Sequence, residues 1–283
     1  MGEVFSPTMI LYYKHLGKDM NLIKETRYGK MIYNTKDIWV GKSFEKYSEF
    51  SELEVQLFRD CLKEGDSAID VGANIGSHTI AFSQIVGKSG MVLAFEPERI
   101  NFNTLCGNVA INNIRNIYCF QNAVGSKLGT IPVPELNIEK TENFGSLSLT
   151  KDYSTAHHYT VPMTTLDSFG LSRVNFIKVD VEGMEIDVVS GSLNTIDRCK
   201  PILYLENDRI ENAMELINLV NSLGYIVYSH NPSLFNPDNF AKEKENVFLT
   251  DSGAHIVSIN LFCHHKNIDC PIDIKKLNVK KIN

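Results

Sequence analysis

The stretch AIDVGANIGSHT, residues 68–79, decides the fold of this 283-residue chain. An apolar run ends in a carboxylate at Asp70, and Gly72, Ala73 and Gly76 follow with little or no side chain. The pattern predicts a buried strand, a tight glycine turn and a helix that begins beside it. Because the N-terminus of such a helix binds polar and anionic ligands, the ligand of this turn is the main question about function.

Working outward, strands and helices alternate regularly from residue 67. SAIDV, MVLAFEP, FIKVDV and PILYLE are typical of buried strands, and the segments between them, including MEIDVVSGSLNTID at 184–197, are typical of helices. The alternation predicts an α/β fold with a mostly parallel sheet covered on both faces. We expect three parts: an N-terminal segment with a lid or cap helix at 1–65, a catalytic domain at 66–263 and a tail at 264–283. Within the domain, an insertion at about 126–165 and a polar loop at about 231–250 interrupt the alternation.

The composition limits the classes of partner and the cell compartment that we expect for this protein. The formal net charge is −6 and no basic arm is present, so no nucleic-acid partner is expected. The apolar patch near the N-terminus is too short to be a signal peptide or a membrane span. Six scattered cysteines without a CxxC pair predict reduced thiols and a cytoplasmic protein.

Three ligand classes compete for the glycine turn. A dinucleotide fingerprint requires G-x-G-x-x-G, and Asn74 stands where the middle glycine belongs. A phosphate-binding P-loop requires a glycine upstream of its GK[ST], and neither GKS triplet, at 41–43 or 87–89, has one. The third class is S-adenosylmethionine, which has a sulfonium, an amino acid and a ribose but no pyrophosphate.

Acids and small residues at strand ends suit this third class. Asp70 can face the sulfonium and amino end, and the small turn residues let the backbone approach the ligand. Glu96 ends the next strand and can accept two hydrogen bonds from a ribose diol. Asn122 and Ala123 end the third strand, where they can border an adenine. The alternative is that Asp70 and Glu96 are structural caps of an α/β sheet.

The segment KVDVEG predicts the reaction chemistry. It puts Lys178, Asp180 and Glu182 at the carboxyl end of a strand, where open α/β sheets bind ligands. Asp180 is the first candidate for the general base or the group that positions the acceptor, followed by Glu182 and then Lys178. Asp180 with Glu206 and Asn207 also offers oxygen ligands for Mg²⁺, with solvated carboxylates as the alternative.

These motifs together resemble the FkbM-type methyltransferases. The matching pieces cover about 45–263 in order, and they include GDSAIDVGANIGSHT, VLAFEPE, NAVG, NFGSLSL, TTLDSF, FIKVDVEGMEIDVVSG and PILYLE. The resemblance implies a Rossmann-like class I methyltransferase, a three-layer sandwich whose seven-stranded, mostly parallel sheet has its last strand antiparallel. It implies S-adenosyl-L-methionine as methyl donor and a hydroxyl of a small molecule, sugar or glycan as acceptor. Whether the protein forms a homo-oligomer is left open.

The segments that flank these motifs carry further expectations. Tyr47 and Glu49 are expected either as lid contacts over the cofactor or as ordinary packing, and Trp39 is expected in the core. His78 is expected near the cofactor or in a structural role. The rival functions are an N- or C-methyltransferase on the same fold, an NAD-dependent oxidoreductase and a non-catalytic cofactor-binding module.

Overall fold

The computed structural model describes residues 20–145, 157–273 and 279–282. Its centre is an eight-stranded sheet with the order β5-β4-β3-β9-β10-β12-β11-β13. The strands of this sheet are β3 (Ser67–Val71), β4 (Met91–Phe95), β5 (Ile117–Phe120), β9 (Phe176–Val179), β10 (Ile202–Glu206), β11 (Tyr225–His230), β12 (Asn260–His265) and β13 (Val279–Lys281). The helices are α1 (Val40–Tyr47), α2 (Glu52–Cys61), α3 (Ser77–Val86), α4 (Arg99–Ile111), α5 (Glu185–Ser190), α6 (Leu193–Cys199) and α7 (Ile210–Ser222).

Side chains that alternate along β9 show why the sheet is buried on both faces. Phe176 packs on one face with Phe58 of α2 and Phe82 of α3. Its neighbour Ile177 packs on the other face with Val188 of α5 and with residues of α7. Because successive side chains of a strand point to opposite faces, a strand buried on both sides reads as a continuous apolar run. The predicted three-layer α/β architecture is confirmed.

The predicted count of seven strands is wrong for the main sheet. The strands β3, β4, β5, β9 and β10 run parallel, and β12 lies antiparallel between β10 and β11. The eighth strand, β13, adds to the outer edge of β11, where Val279 pairs with His230. This strand falls in the polar C-terminal tail, whose short apolar content carries no clear strand pattern.

The insertion at about 126–165 contributes two strands to a second sheet, whose other strand precedes it. Strands β6 (Ala123–Val124), β7 (Gly129–Pro134) and β8 (His158–Thr164) form it in the order β6-β8-β7. The helix predicted at 184–197 is instead two short helices, α5 and α6, that meet at Gly191 and Ser192. A Cβ on Gly191 would lie 2.0 Å from the carbonyl oxygen of Gly125, so this close contact with the insertion requires glycine.

The N-terminal region holds the loop at 231–250 against the domain. It contains the hairpin of β1 (Asn21–Thr26) and β2 (Gly29–Asn34), followed by α1. The buried carboxylate of Glu49 accepts hydrogen bonds from Arg27 Nε at 2.7 Å and from Asn236 Nδ2 at 2.8 Å. Among the described residues, no helix is long and apolar enough to cross a membrane.

Candidate active site

A cavity opens at the carboxyl ends of the parallel strands. The turn after β3, the end of β4 and the segment after β9 all contribute to its lining. The predicted site residues that line it are Gly72, Ala73, Asn74, Glu96, Asn122, Ala123, Lys178, Asp180, Glu182 and Glu206. Three predicted site residues, Asp70, Gly76 and Asn207, are not among the lining residues. The edge of the sheet therefore brings together ten of the thirteen predicted site residues.

Packing within the protein, in addition to any ligand, explains why this turn contains glycine. Gly72 has φ +80°, and a Cβ there would lie 1.7 Å from the carbonyl oxygen of Asp180. Gly76 has φ +90°, and a Cβ there would lie 2.6 Å from Leu105 Cδ1. From the sequence, small residues are expected here because they let a ligand approach the backbone. The structure shows that close packing and a left-handed backbone also require glycine at both positions.

Glu96 lies beside this turn with both carboxylate oxygens engaged. Oε2 accepts the backbone N–H of Asn74 at 2.8 Å, and Oε1 accepts that of Glu98 at 2.9 Å. Burial raises the pKa of Glu96 to about 8, although both backbone donors favour the charged form. Each oxygen keeps a further lone pair, so the side chain can still accept hydrogen bonds from a ligand in the cavity.

Lys178 connects two carboxylates at the end of the first and fourth parallel strands. Its Nζ lies 3.4 Å from Asp70 Oδ1 and 3.2 Å from Asp180 Oδ2. Asp70 is fully buried, and its Oδ2 also accepts a hydrogen bond from Thr79 Oγ1 at 2.5 Å. Burial works to lower the pKa of Lys178, but the carboxylates of Asp180, Asp70 and Glu54 together raise it. Asp70 therefore acts on the cavity through a charged Lys178 and does not reach it directly.

Asp180 and Glu206 form a pair that holds one proton. Burial and the charge of Asp180 raise the pKa of Glu206 far above its ordinary value. Burial also works to raise the pKa of Asp180, but Lys178 and the neighbouring Glu206 hold it below its ordinary value. Near neutral pH, Glu206 is therefore the protonated member of the pair and Asp180 the ionised one.

This arrangement does not fit a resident Mg²⁺ at the predicted ligands. Lys178 already balances the charge of Asp180, and Asn207 is not a lining residue. The three carboxylates close enough to share an ion are instead Glu182, Glu206 and Asp208. Of these, Glu182 forms an ion pair with Arg209. Because Mg²⁺ requires free oxygen donors in near-octahedral geometry, we derive no step through a metal.

The segment that carries Asp180 and Glu182 is fixed by a third acid. Glu185 Oε1 accepts the backbone N–H groups of Val181 at 3.2 Å and Gly183 at 3.1 Å. These bonds hold a turn in which Glu182 itself has φ +55°. Burial and the charge of Asp180 raise the pKa of Glu182 to about 7, although Arg209 opposes the shift.

Several residues that line the cavity were missed or misread from the sequence. Trp39, predicted in the core, lines the cavity and stacks on Phe248 with ring centroids 5.6 Å apart. Tyr47 and Glu49 do not line it, although they anchor the loop at 231–250. The other missed lining residues include Phe50, Glu54, Asn143, Phe144, Gly145, Leu234 and Ser258. The remainder of the NFGSLSL motif, at 146–149, lies outside the described residues.

Glu54 could have been found from helical periodicity. It precedes Leu57 and Phe58 by three and four residues, so it shares their face of α2. All three are buried, with Glu54 only 3% exposed. An acid on the apolar face of a predicted amphipathic helix is a signal for a functional group, because an unpaired charge is rarely buried.

Comparison with known proteins identifies a family whose model matches this chain. The model of the methyltransferase FkbM domain matches residues 70–227, which is more than half of the chain. This segment begins at the acid of the glycine turn and includes Lys178, Asp180 and Glu206.

Two proteins with similar sequences are named as methyltransferases. The chain is 29% identical to Methyltransferase 1 of Beauveria bassiana (strain ARSEF 2860) over 142 residues, 44% of this chain and 57% of that protein. It is 27% identical to Methyltransferase sdnD of Sordaria araneosa over 153 residues, 44% of this chain and 59% of that protein. A solved FkbM methyltransferase from Methylobacillus flagellatus KT is 18% identical, with a TM-score of 0.47, over 72% of this chain and 44% of that one. The matches thus span less than two thirds of each of these proteins.

Proposed function

The chain belongs to the FkbM methyltransferase family, and from that membership we propose that it transfers a methyl group from S-adenosyl-L-methionine to a hydroxyl oxygen. The acceptor that we propose is a small molecule, sugar or glycan. The observation that carries the proposal is the position of Glu96: it lines one cavity with the glycine turn and with Asp180. A donor molecule and an acceptor held in one cavity can react in line.

The lining residues fit S-adenosylmethionine by their chemistry. Glu96 has free lone pairs for the ribose hydroxyls, and Asn122 and Ala123 would border the adenine. The turn at Gly72 to Asn74 would lie along the amino acid part, with Asp70 acting from behind through Lys178. When bound, the molecule supplies an electrophilic methyl group on a sulfonium sulfur.

The residues after β9 would position the acceptor. The Asp180 carboxylate can accept a hydrogen bond from the acceptor hydroxyl, since Lys178 and Glu206 keep it ionised and fix its orientation. Lys178 connects this carboxylate to the buried Asp70, so the acceptor group is held rigidly relative to the end of β3. Trp39, Phe50 and Leu234 add apolar surface that excludes water from the reacting atoms.

Calorimetric titration of the purified protein tests this function. S-adenosylhomocysteine, the reaction product, should bind with a micromolar dissociation constant, and NAD should not bind. Affinity should be the same with and without Mg²⁺. Binding of NAD without binding of S-adenosylhomocysteine would overturn the proposal, because the glycine turn would then hold a dinucleotide.

After binding is established, the acceptor can be sought with isotope-labelled S-adenosylmethionine. A panel of hydroxyl compounds and a parallel panel of amines should be tested for label transfer. Transfer to the hydroxyl panel is the expected result. Transfer confined to amines would replace O-methylation by N-methylation on the same cofactor site.

A further inference from the structure

Glu54 is a cavity-lining carboxylate that lies outside the segment matched by the family model. It belongs to α2, and its side chain is almost completely buried. Oε1 accepts a hydrogen bond from Asn260 Nδ2 of β12 at 3.1 Å. The structure therefore brings an acid from the N-terminal region to the reaction cavity and holds it there with a residue 206 positions later.

His78 faces this carboxylate with an unsatisfied nitrogen. Its Nε2 lies 3.4 Å from Glu54 Oε2 and, among the described residues, has no hydrogen-bond partner. The imidazole packs against Phe50 and Phe58, with ring centroids 5.7 and 5.4 Å away. A buried polar atom without a partner is costly, so an uncompensated nitrogen in a cavity wall points to a proton or ligand that comes and goes.

Glu54 differs from Asp180 in what already surrounds it. Asp180 lies 3.2 Å from the Lys178 ammonium, which holds the pKa of its carboxyl below the ordinary value. Within the described part of the chain, Glu54 forms no ion pair with a lysine or arginine. The basic side chain close to it is His78, and the lowered pKa of His78 leaves that ring neutral. A carboxylate that a cation already stabilises is a weak base, whereas a desolvated one without such a cation is a stronger base.

We propose that Glu54 is the general base of the transfer and that His78 is the positioning residue that shares its proton. This inference rests on the proposed function. The acceptor oxygen forms a bond to the methyl carbon while the carbon–sulfur bond breaks, and the electron pair of that bond remains on sulfur. The acceptor hydroxyl proton passes to the Glu54 carboxylate, where His78 Nε2 can accept a hydrogen bond from it, and the proton then leaves to solvent.

The titration behaviour of both groups agrees with these roles. Burial raises the pKa of Glu54 to about 7, against the opposing effects of Ser258 and Lys178. Burial lowers the pKa of His78 to about 3, so its ring is neutral when the enzyme is at rest. Asp180, from the segment after β9, also raises the pKa of Glu54, and Glu54 in turn raises the pKa of Tyr204 of β10. Glu54 is thus able to exchange a proton near neutral pH.

The first test needs no acceptor. The Cε1–H proton resonance of His78, assigned with His78→Gln, is followed by NMR from pH 5 to 9. In the wild type it should shift with a midpoint near pH 7, as Glu54 gains and loses its proton. The shift should vanish in Glu54→Gln. It should persist in the control Glu52→Gln, which removes a buried acid of the same helix that does not line the cavity.

A flat His78 resonance in the wild type, or a titration that survives Glu54→Gln, would overturn the inference. Thermal unfolding shows whether each variant is folded, and Glu54→Asp replaces Glu54→Gln should the latter not fold. In the shortened side chain the carboxyl moves away from His78, so the amplitude of the shift should fall while a titration remains. A persistent full-amplitude shift in Glu54→Asp would count against contact between the two groups.

The second test uses whichever hydroxyl compound of the panel the wild type methylates. Glu54→Gln should lower kcat by about 10²-fold or more and leave KM and S-adenosylhomocysteine affinity nearly unchanged. The wild-type rate should rise with pH to a plateau above about 7, and the variant should lose this rise. Failure of S-adenosylhomocysteine to bind the wild type would reject the proposed function, whereas the NMR titration judges the Glu54–His78 pair independently.

Discussion

The backbone N–H of Asn74 donates to Glu96 Oε2 over 2.8 Å, and this bond joins the glycine turn after β3 to the end of β4. One carboxylate thereby fixes the turn and faces the cavity at the same time. Glu96 is a structural cap, which the sequence left as an alternative, and it is also available to a ligand. The roles of structural cap and ligand-binding group are compatible because a carboxylate offers about four lone-pair positions.

Replacement of Glu96 by alanine should weaken S-adenosylhomocysteine binding by about 1–3 kcal/mol, the scale of leaving buried hydrogen-bonding groups without a partner. Calorimetry measures the change. The control is Glu135→Ala, which removes an exposed acid that does not line the cavity and should bind like the wild type. Unchanged affinity in Glu96→Ala would remove this residue from the ribose site.

Replacement of Gly72 by alanine should destabilise the protein strongly, by about 4 kcal/mol or more, because the new Cβ would overlap the Asp180 carbonyl oxygen. Gly253→Ala is a matched control, since Gly253 has the same φ of +80° and no heavy atom within 4 Å of its Cβ position. It should cost only the left-handed backbone penalty of about 1–2 kcal/mol. Thermal or urea unfolding compares the two, and equal costs would contradict the packing argument.

Replacement of Asp180 by asparagine should lower kcat by about 10²-fold through loss of acceptor positioning. The neutral amide also leaves Lys178 with Asp70 as its remaining close anion. Affinity for S-adenosylhomocysteine should change much less than kcat, which steady-state kinetics and calorimetry measure together. The reverse pattern, with lost affinity and retained turnover, would assign Asp180 to the cofactor site.

Replacement of Glu206 by glutamine should make stability less dependent on pH. The folded-state pKa of Glu206 is raised, so folding retains a proton that the unfolded chain releases above pH 4.5. Through this group the wild type therefore loses stability as pH rises, by at most about 1.4 kcal/mol per unit, and the glutamine variant lacks that contribution. Melting temperatures from pH 5 to 9 should diverge steadily in favour of Glu206→Gln. The exposed control Glu211→Gln should follow the wild type, and parallel curves for Glu206→Gln would show that Glu206 is ionised.

The sequence by itself determined the alternation of strands and helices in the parallel part of the main sheet, and the edge of that sheet at which we place function. Runs that are apolar at every position predict strands buried on both faces, and acids at the ends of such strands meet at one edge because parallel strands share a direction. From that rule, Glu96, Asp180 and Glu206 could be assigned to one cavity before any contact was known.

Only the tertiary structure decided which distant segments complete the cavity and which groups carry charge. Glu54 meets His78 and Asn260, and Trp39 packs on Phe248, through contacts between segments far apart in the chain. A local pattern encodes period and burial, but the pairing of remote elements follows from how their surfaces pack. The pKa values of Glu54, Glu206 and His78 depend on that packing in turn, because burial and neighbouring charges set them.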